Sequence, residues 1–366
     1  MSSCDKRANE EDRVHASVKD YYGKTLKKSD DLATNVCTTP TTRLPKYVRE
    51  ALKLVHDEVA SKYYGCGIVI PPCLHGAHVL DLGSGSGRDC YALSKLVGET
   101  GQVTGLDMTE EQVAVARKHI DYHAKVFGYA EPNTDFVLGY IERPIEAGIK
   151  ENNYDLVISN CVVNLVPDKR AALGEIYKVL KDGGEFYFSD LYANCDLPDN
   201  IRKHEVLWGE CISGALYWKD LGKIAEEVGF STPMLISSRE ISINSKSSKL
   251  RELVGDYKFV SAEYRLFKCS TQGDGKPVNV VYKGELEGLP DEFILDKNIS
   301  FKKDEPLCVS GNLAVILKCS RYRDEFKYEP APCCATESQV AAVNPFDVAV
   351  SEDAKVCGEG GPSCCA

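Results

Sequence analysis

Short, nearly unbroken apolar runs recur along the first two thirds of the chain, separated by stretches in which apolar residues fall three and four apart. The runs are HVLDL at His78–Leu82, QVTGLDM at Gln102–Met108, TDFVLGYIE at Thr134–Glu142, the head of YDLVISNCVVNLVPD at Tyr154–Asp168, and GGEFYFSDLY at Gly183–Tyr192. Each has the length of a buried strand. Between them the spacing predicts helices over Arg88–Val97, Thr109–Phe127 and Lys169–Leu180, with Thr109 at an N-cap and Glu110 and Glu111 in the favoured acidic first turn. Strand and helix alternating through short connections give an α/β protein: a mostly parallel sheet with helices on both faces and its ligand at the carboxyl ends of the strands.

The first strand runs into the densest glycine cluster of the chain, DLGSGSGRD at Asp81–Asp89. Gly83, Gly85 and Gly87, with Ser84 between them, permit positive φ and close backbone approach to a ligand. The spacing is G-x-G-x-G, not the G-x-G-x-x-G of dinucleotide folds. Carboxylates at Asp81 and Asp89 flank the loop, which would repel a diphosphate and suit a cation. S-adenosylmethionine, with its ammonium and sulfonium, fits. Asp107 ends the second strand twenty positions beyond Gly87, where an acid can accept from both ribose hydroxyls, and Met108 follows it against the adenine face. Over roughly residues 60–240 the chain resembles the class I (Rossmann-like) S-adenosylmethionine-dependent methyltransferases. That resemblance implies that Ile141 and Glu142 flank adenine, and that Asn160 lies near the transferable methyl.

Four segments are expected. Residues 1–60 form an N-terminal segment: a short helix over Ala16–Leu26 carrying Tyr21 and Tyr22, either a lid over the cofactor or a packing helix, then a Thr/Pro-rich loop, Thr34–Pro45, with Cys37 in its middle, then a helix from Pro45 to about Tyr63. Residues 61–270 form the methyltransferase domain. It begins at YYGCGIVIPPC, where Cys66 sits between two glycines, and carries helices over Asp199–Ser213, with Cys211, and Lys219–Val228. It closes with alternating strands at MLISSREISI and Lys258–Cys269, an antiparallel edge. Residues 271–328, including β-like runs in PVNVVYKG and Phe293–Leu317, form a small β-rich module, and 329–366 read as a disordered tail carrying Cys333, Cys334, Cys357, Cys364 and Cys365.

Composition narrows the function. The 366 residues carry a net charge of −11, which argues against binding a nucleic-acid backbone. No apolar run approaches a membrane span of about 18 residues, and the N-terminus is too polar for a signal peptide, so the cytosol is the expected location. Sixteen cysteines are many for such a protein, and in a reducing compartment they stay thiols open to soft metals, metalloids or redox chemistry.

The methyl acceptor follows from what stands at the strand ends. No lysine, histidine or tyrosine base is evident there, whereas methylation of oxygen or nitrogen usually needs one. Thiols coordinate soft centres. Trivalent arsenic held by three thiolates would present its lone pair to the sulfonium methyl without any base. At this level the chain is similar to the animal arsenite methyltransferases, through YYGCG (Tyr63–Gly67), DLGSGSGRDCY (Asp81–Tyr91), GYIE (Gly139–Glu142), SNCVVNLVPDK (Ser159–Lys169), LWGEC (Leu207–Cys211) and GALYWK (Gly214–Lys219). The resemblance implies that Cys66, Cys161 and Cys211 bind arsenic from arsenite or methylarsenite, presented as thiol conjugates. It further implies that Cys37 and Cys66 form a redox disulfide, recycled by thioredoxin or glutathione. Of the other cysteines, Cys73 and Cys90 are expected to be structural and Cys269, Cys308 and Cys319 packed, with an auxiliary thiol at Cys195 as the lesser of two readings of that residue. Three rivals stand: a methyltransferase for another small acceptor, a metalloid-sequestering protein, and a nicotinamide oxidoreductase, the last disfavoured by the glycine spacing.

Overall fold

The computed structural model describes residues 13–22, 44–63, 67–241, 247–331 and 337–350. Helix α1 covers residues 13–22. Two short helices follow, α2 (Lys46–Lys53) and α3 (Asp57–Ala60), where the sequence predicts a single one. The break falls at His56, whose ring accepts from the Glu58 backbone N–H and restarts the helix.

The strands then alternate with helices as expected: β1 (His78–Leu82), α4 (Arg88–Val97), β2 (Gln102–Asp107), α5 (Glu110–Lys118), α6 (Ile120–Phe127), β3 (Thr134–Leu138), β4 (Tyr154–Asn160), α7 (Lys169–Val179) and β5 (Leu180–Ala193). The predicted helix over Thr109–Phe127 is divided at His119, whose backbone leaves helical geometry while its ring bonds Glu58. Thr109 does occupy the N-cap of α5, but its side chain makes no capping bond; the Asp107 carboxylate accepts its N–H instead, at 2.8 Å.

Two short helices, α8 (Asp199–Arg202) and α9 (Glu205–Gly209), replace the predicted helix over Asp199–Ser213, because His204 caps α9 and the Ser213 hydroxyl donates to the carbonyls of Ile201 and His204. Then come β6 (Leu216–Tyr217), α10 (Trp218–Val228), β7 (Met234–Ile241), α11 (Ser248–Val254) and β8 (Phe259–Phe267). The sheet runs β3-β2-β1-β4-β5-β8-β7, with β6 beside β5. It is parallel from β3 through β5 and antiparallel at β8 and β7, so the carboxyl ends of β1, β2 and β4 share one rim.

The C-terminal region contains a three-stranded sheet, β12-β9-β13, and a two-stranded one, β10-β11. Its strands are β9 (Val278–Tyr282), β10 (Glu292–Asp296), β11 (Ile299–Lys302), β12 (Pro306–Val309) and β13 (Phe326–Pro330). The run at 311–319, read as β-like, is helix α12 (Gly311–Cys319). Ser310 caps it by accepting from the Leu313 N–H, and its burial beside Phe293 and Tyr322 overrides the β preference of its Val and Ile.

The reading of 329–366 as a disordered tail needs correction for its first part. Strand β13 extends to Pro330, and residues 337–350 lie along the protein: Ser338 exchanges backbone bonds with Cys308 and Ser310, Val350 with Ser238 and Glu240, and Val343, Phe346 and Val348 cover the main core. Backbone pairing of this kind leaves almost no mark on composition. Among the described residues no helix is long and apolar enough to cross a membrane.

Candidate active site

The rim formed by β1, β2 and β4 is hollow. A cleft of roughly 1000 Å3, counting the solvent in its mouth, is lined by Asp81, Gly83, Ser84, Gly85, Asp107, Met108, Ile141, Glu142, Asn160 and Cys161. These are nine of the ten residues assigned to the cofactor from sequence, together with one of the proposed arsenic ligands. The tenth, Gly87, lies behind the wall: it begins α4 at φ 88°, and a Cβ there would stand 2.8 Å from the Phe136 ring. Its role is to seat the helix.

Backbone geometry explains the loop. Gly83 has φ 75°, and a Cβ on it would stand 2.3 Å from a Val162 methyl, so only glycine lets β1 turn beneath the loop after β4. Gly85, at φ 53°, has nothing within 4 Å of a would-be Cβ and leaves its surface to a ligand. Asp107 fixes the loop by accepting from the Gly85 N–H at 2.9 Å.

The cleft is acidic and its polar groups are underused. Asp81 is buried and accepts from the Cys90 thiol at 3.1 Å, which gives a polar role to a cysteine expected to be merely structural. Burial, with Asp89 and Asp107 close by, pushes Asp81 up to about 8, and burial also raises Asp107. Ser84 Oγ, Gln112 Oε1 and Asn160 Oδ1 are buried in the same cleft without a hydrogen-bond partner among the described residues. Such groups are costly unless a ligand completes them. Buried carboxylates and orphaned polar atoms beside an open glycine loop therefore fit a cationic, polyhydroxylated cofactor.

A measurable consequence attaches to Asp81. A cationic ligand must displace the proton this carboxyl holds at neutral pH, so binding at pH 7 is expected to release close to one proton. Affinity should rise with pH until about 8. Titration calorimetry in two buffers of different ionisation enthalpy reads the proton directly; identical heats would refute the assignment. Because the folded value lies above the usual aspartate value of 3.8, the same group favours the ligand-free fold at low pH, and that contribution is lost as pH climbs through about 8.

Helix α1 closes one side. His15 Nε2 lies 2.9 Å from Glu142 Oε1, and Lys19 donates to the Tyr140 hydroxyl at 2.6 Å. At the other end Tyr22 donates to the Gly209 carbonyl at 2.8 Å and Tyr21 to the Glu210 carboxylate. One helix thus joins the Tyr140–Glu142 side of the cleft to the turn that carries Cys211. The sequence pointed to the tyrosines but gave no sign of His15.

Two of the assigned arsenic ligands meet here. Cys161, one residue past β4, lines the cleft, and the Cys211 thiol donates to the Cys161 carbonyl at 3.0 Å, although fifty positions separate them. Both have left-handed backbones, φ 57° and 63°, and Cys73 makes cysteine three of the five described non-glycine residues with positive φ. That conformation costs about 1 kcal/mol or more per residue and gathers at functional sites. Cys161 is disulfide-bonded, and no other described cysteine is. Behind Cys211, burial raises Asp190 and lowers Lys169, whose ammonium donates to the Val166 carbonyl at 3.0 Å and feels the Cys211 sulfur.

Cys37 and Cys66 lie outside the described residues. The described neighbours of the 64–66 stretch are anchored at the end of β4: Asn160 Nδ2 donates to the Tyr63 hydroxyl at 2.6 Å and to the Gly67 carbonyl at 2.9 Å. Arg88 lies over the Tyr63 ring, 3.1 Å from its centroid. Cys195, by contrast, is exposed.

One other group of donor atoms is found among the described residues: His56, Glu58 and His119, within 4.8 Å of one another. It does not suit a metal. His56 Nδ1 already accepts a backbone N–H, so its other nitrogen carries the proton, and the Lys118 ammonium sits 2.6 Å from the Glu58 oxygen that His119 shares.

Comparison with known proteins agrees with this geometry. A methyltransferase-domain family matches residues 74–229, and the arsenite methyltransferase C-terminal domain family matches 275–366. The arsenite methyltransferase of Homo sapiens is 49% identical over 348 residues, covering 93% of this chain and 92% of its own length. That of Aquipseudomonas alcaligenes is 45% identical, covering 86% and 90%. The crystal structure of CrArsM, an arsenic (III) S-adenosylmethionine methyltransferase from Chlamydomonas reinhardtii, superposes with a TM-score of 0.75 at 42% identity, covering 81% of this chain and all of that one.

Proposed function

The chain belongs to the arsenite methyltransferase family, and from that premise we propose that it transfers methyl groups from S-adenosylmethionine to trivalent arsenic held by Cys66, Cys161 and Cys211. The observation that carries the acceptor is the meeting of Cys211 with Cys161 at the wall of the cofactor cleft. From a thiol conjugate, each cysteine thiol gives its proton to the carrier thiolate it displaces, so one As–S bond replaces another; from free arsenite, each gives its proton to a leaving hydroxide, and three As–S bonds replace three As–O bonds as three waters depart. Fixing arsenic by side chains that project from the β4 rim and from the turn after α9 sets the direction of its lone pair and removes the entropy cost of encounter.

When bound, S-adenosylmethionine supplies an electrophilic methyl on a sulfonium. Asp107 and Asp81 hold its hydroxyl-bearing and cationic parts, Ile141, Met108 and Glu142 its base, and Gly83, Ser84 and Gly85 give it backbone access. Asn160, pinned by Tyr63 and Gly67, braces the reacting end. Helix α1, anchored at Glu142 and at the turn after α9, covers one side of the cleft.

Methylation takes two electrons from arsenic, and a thiol pair that becomes a disulfide returns them. We assign that pair to Cys37 and Cys66, with thioredoxin or glutathione restoring the thiols in the cytosol. The reading is tested by incubating the protein with arsenite, S-adenosylmethionine and a thiol and resolving the products by mass. Methylated arsenic is expected; unchanged arsenite, with methylation of some oxygen or nitrogen acceptor instead, would overturn it.

A further inference from the structure

Two thiols far from the cleft are also brought together. Cys269 follows β8 and Cys319 ends α12, so they belong to the methyltransferase sheet and to the C-terminal region respectively. Gly183 is the floor on which both chains rest. Its N–H donates to the Lys268 carbonyl at 2.7 Å, and a Cβ on it would stand 2.0 Å from the Cys319 carbonyl oxygen, so no larger residue lets the end of α12 settle there. The Cys269 sulfur bonds the Thr271 carbonyl at 3.3 Å, and Gly183, which touches the Lys268 carbonyl and the Cys319 carbonyl alike, brings the two cysteines side by side, close enough for the Cys319 thiol to act on Cys269. Cys319 is exposed and Cys269 half-buried, and neither is in a disulfide. Burial and the neighbouring thiol push Cys269 up to about 11, so it stays a thiol at neutral pH. Packing was the role expected of both, and it does not explain an exposed sulfur beside a half-buried one.

We propose that Cys269 and Cys319 form a second arsenical site, a surface dithiol that holds trivalent arsenic carrying one carbon substituent, the class to which methylarsenite belongs. Such a compound has two exchangeable hydroxides, and the site has two thiols. Each thiol proton leaves with one hydroxide as water while an As–S bond replaces an As–O bond, and the oxidation state of arsenic does not change. Arsenite itself, with three hydroxides, would keep one of them here. Once the first As–S bond forms, the second closes intramolecularly at high effective concentration, so the pair outcompetes a single thiol such as Cys195. The closed ring would also tie α12 to the end of β8. The site needs neither cofactor nor turnover, and so stands or falls apart from the methyl-transfer reading.

The test is intact-protein mass spectrometry of the fully reduced full-length chain titrated with phenylarsine oxide, a monosubstituted trivalent arsenical, without S-adenosylmethionine. Cys269→Ser, Cys319→Ser and the double variant are each expected to bind one arsenical fewer than the wild type, the double variant losing no more than either single one. Cys195→Ser should lose none. Peptide mapping should find one adduct joining the peptides of residues 269 and 319. Unchanged stoichiometry in either single variant, or a loss of two in the double variant, would overturn the proposal. Melting curves of the three variants without arsenical, superposing on that of the wild type, exclude misfolding as the cause of a loss.

Discussion

Cys161→Ser is expected to reduce arsenite methylation by more than about 100-fold, since even residues that merely orient a ligand cost roughly 10–100-fold in affinity for the bound centre. S-adenosylmethionine binding should stay within about twofold, because Cys161 contributes to the wall of the cleft without joining its acidic groups. The serine keeps shape and removes softness. Single-turnover kinetics beside cofactor titration separates the two effects. If methylation survived, the left-handed backbone at Cys161 and Cys211 would serve packing alone.

A second large effect is expected far from the chemistry, at Glu185. Its carboxylate, fully buried in β5, stands 3.2 Å from Arg265 Nε and also pairs with Arg321 of the C-terminal region and accepts from the Tyr322 hydroxyl at 3.2 Å. The Arg265 contact is close yet poorly aligned for a hydrogen bond, so charge does most of the holding. Arg321 in turn donates to the carbonyls of Pro72 and Cys73. Glu185→Ala would leave two guanidinium groups buried without their anion, a change that costs about 3–5 kcal/mol. Denaturant unfolding measures it. A loss under about 1 kcal/mol would mean that water or another carboxylate compensates, and that the C-terminal region is not held through this residue.

The strands of the sheet and the residues that line the cleft were legible because both rest on local chemistry. A buried strand needs an apolar run, and a turn such as that at Gly83 needs glycine. Helix interruptions were not legible, since His56, His119 and His204 divide helices through side-chain bonds to partners that periodicity does not reveal. Helix α12 carries β-branched residues that burial overrules, and the stretch 337–350 is ordered by backbone pairing with strands that any sequence could offer. For the site, Gln112 could have been found just inside α5 beyond Asp107, but His15 could not, because it acts from a different part of the chain. The pairing of Cys161 with Cys211 came from resemblance alone; spacing carried no sign of it. The left-handed backbone that singles out both residues is visible only in the fold.

Arsenic K-edge X-ray absorption on the reduced protein loaded with one equivalent of arsenite probes the thiol pocket itself. Three sulfur neighbours and no oxygen are predicted for the wild type, and two sulfurs with one oxygen for Cys211→Ser. A spectrum dominated by oxygen, or one that the substitution leaves unchanged, would contradict the convergence of these cysteines on a single arsenic atom.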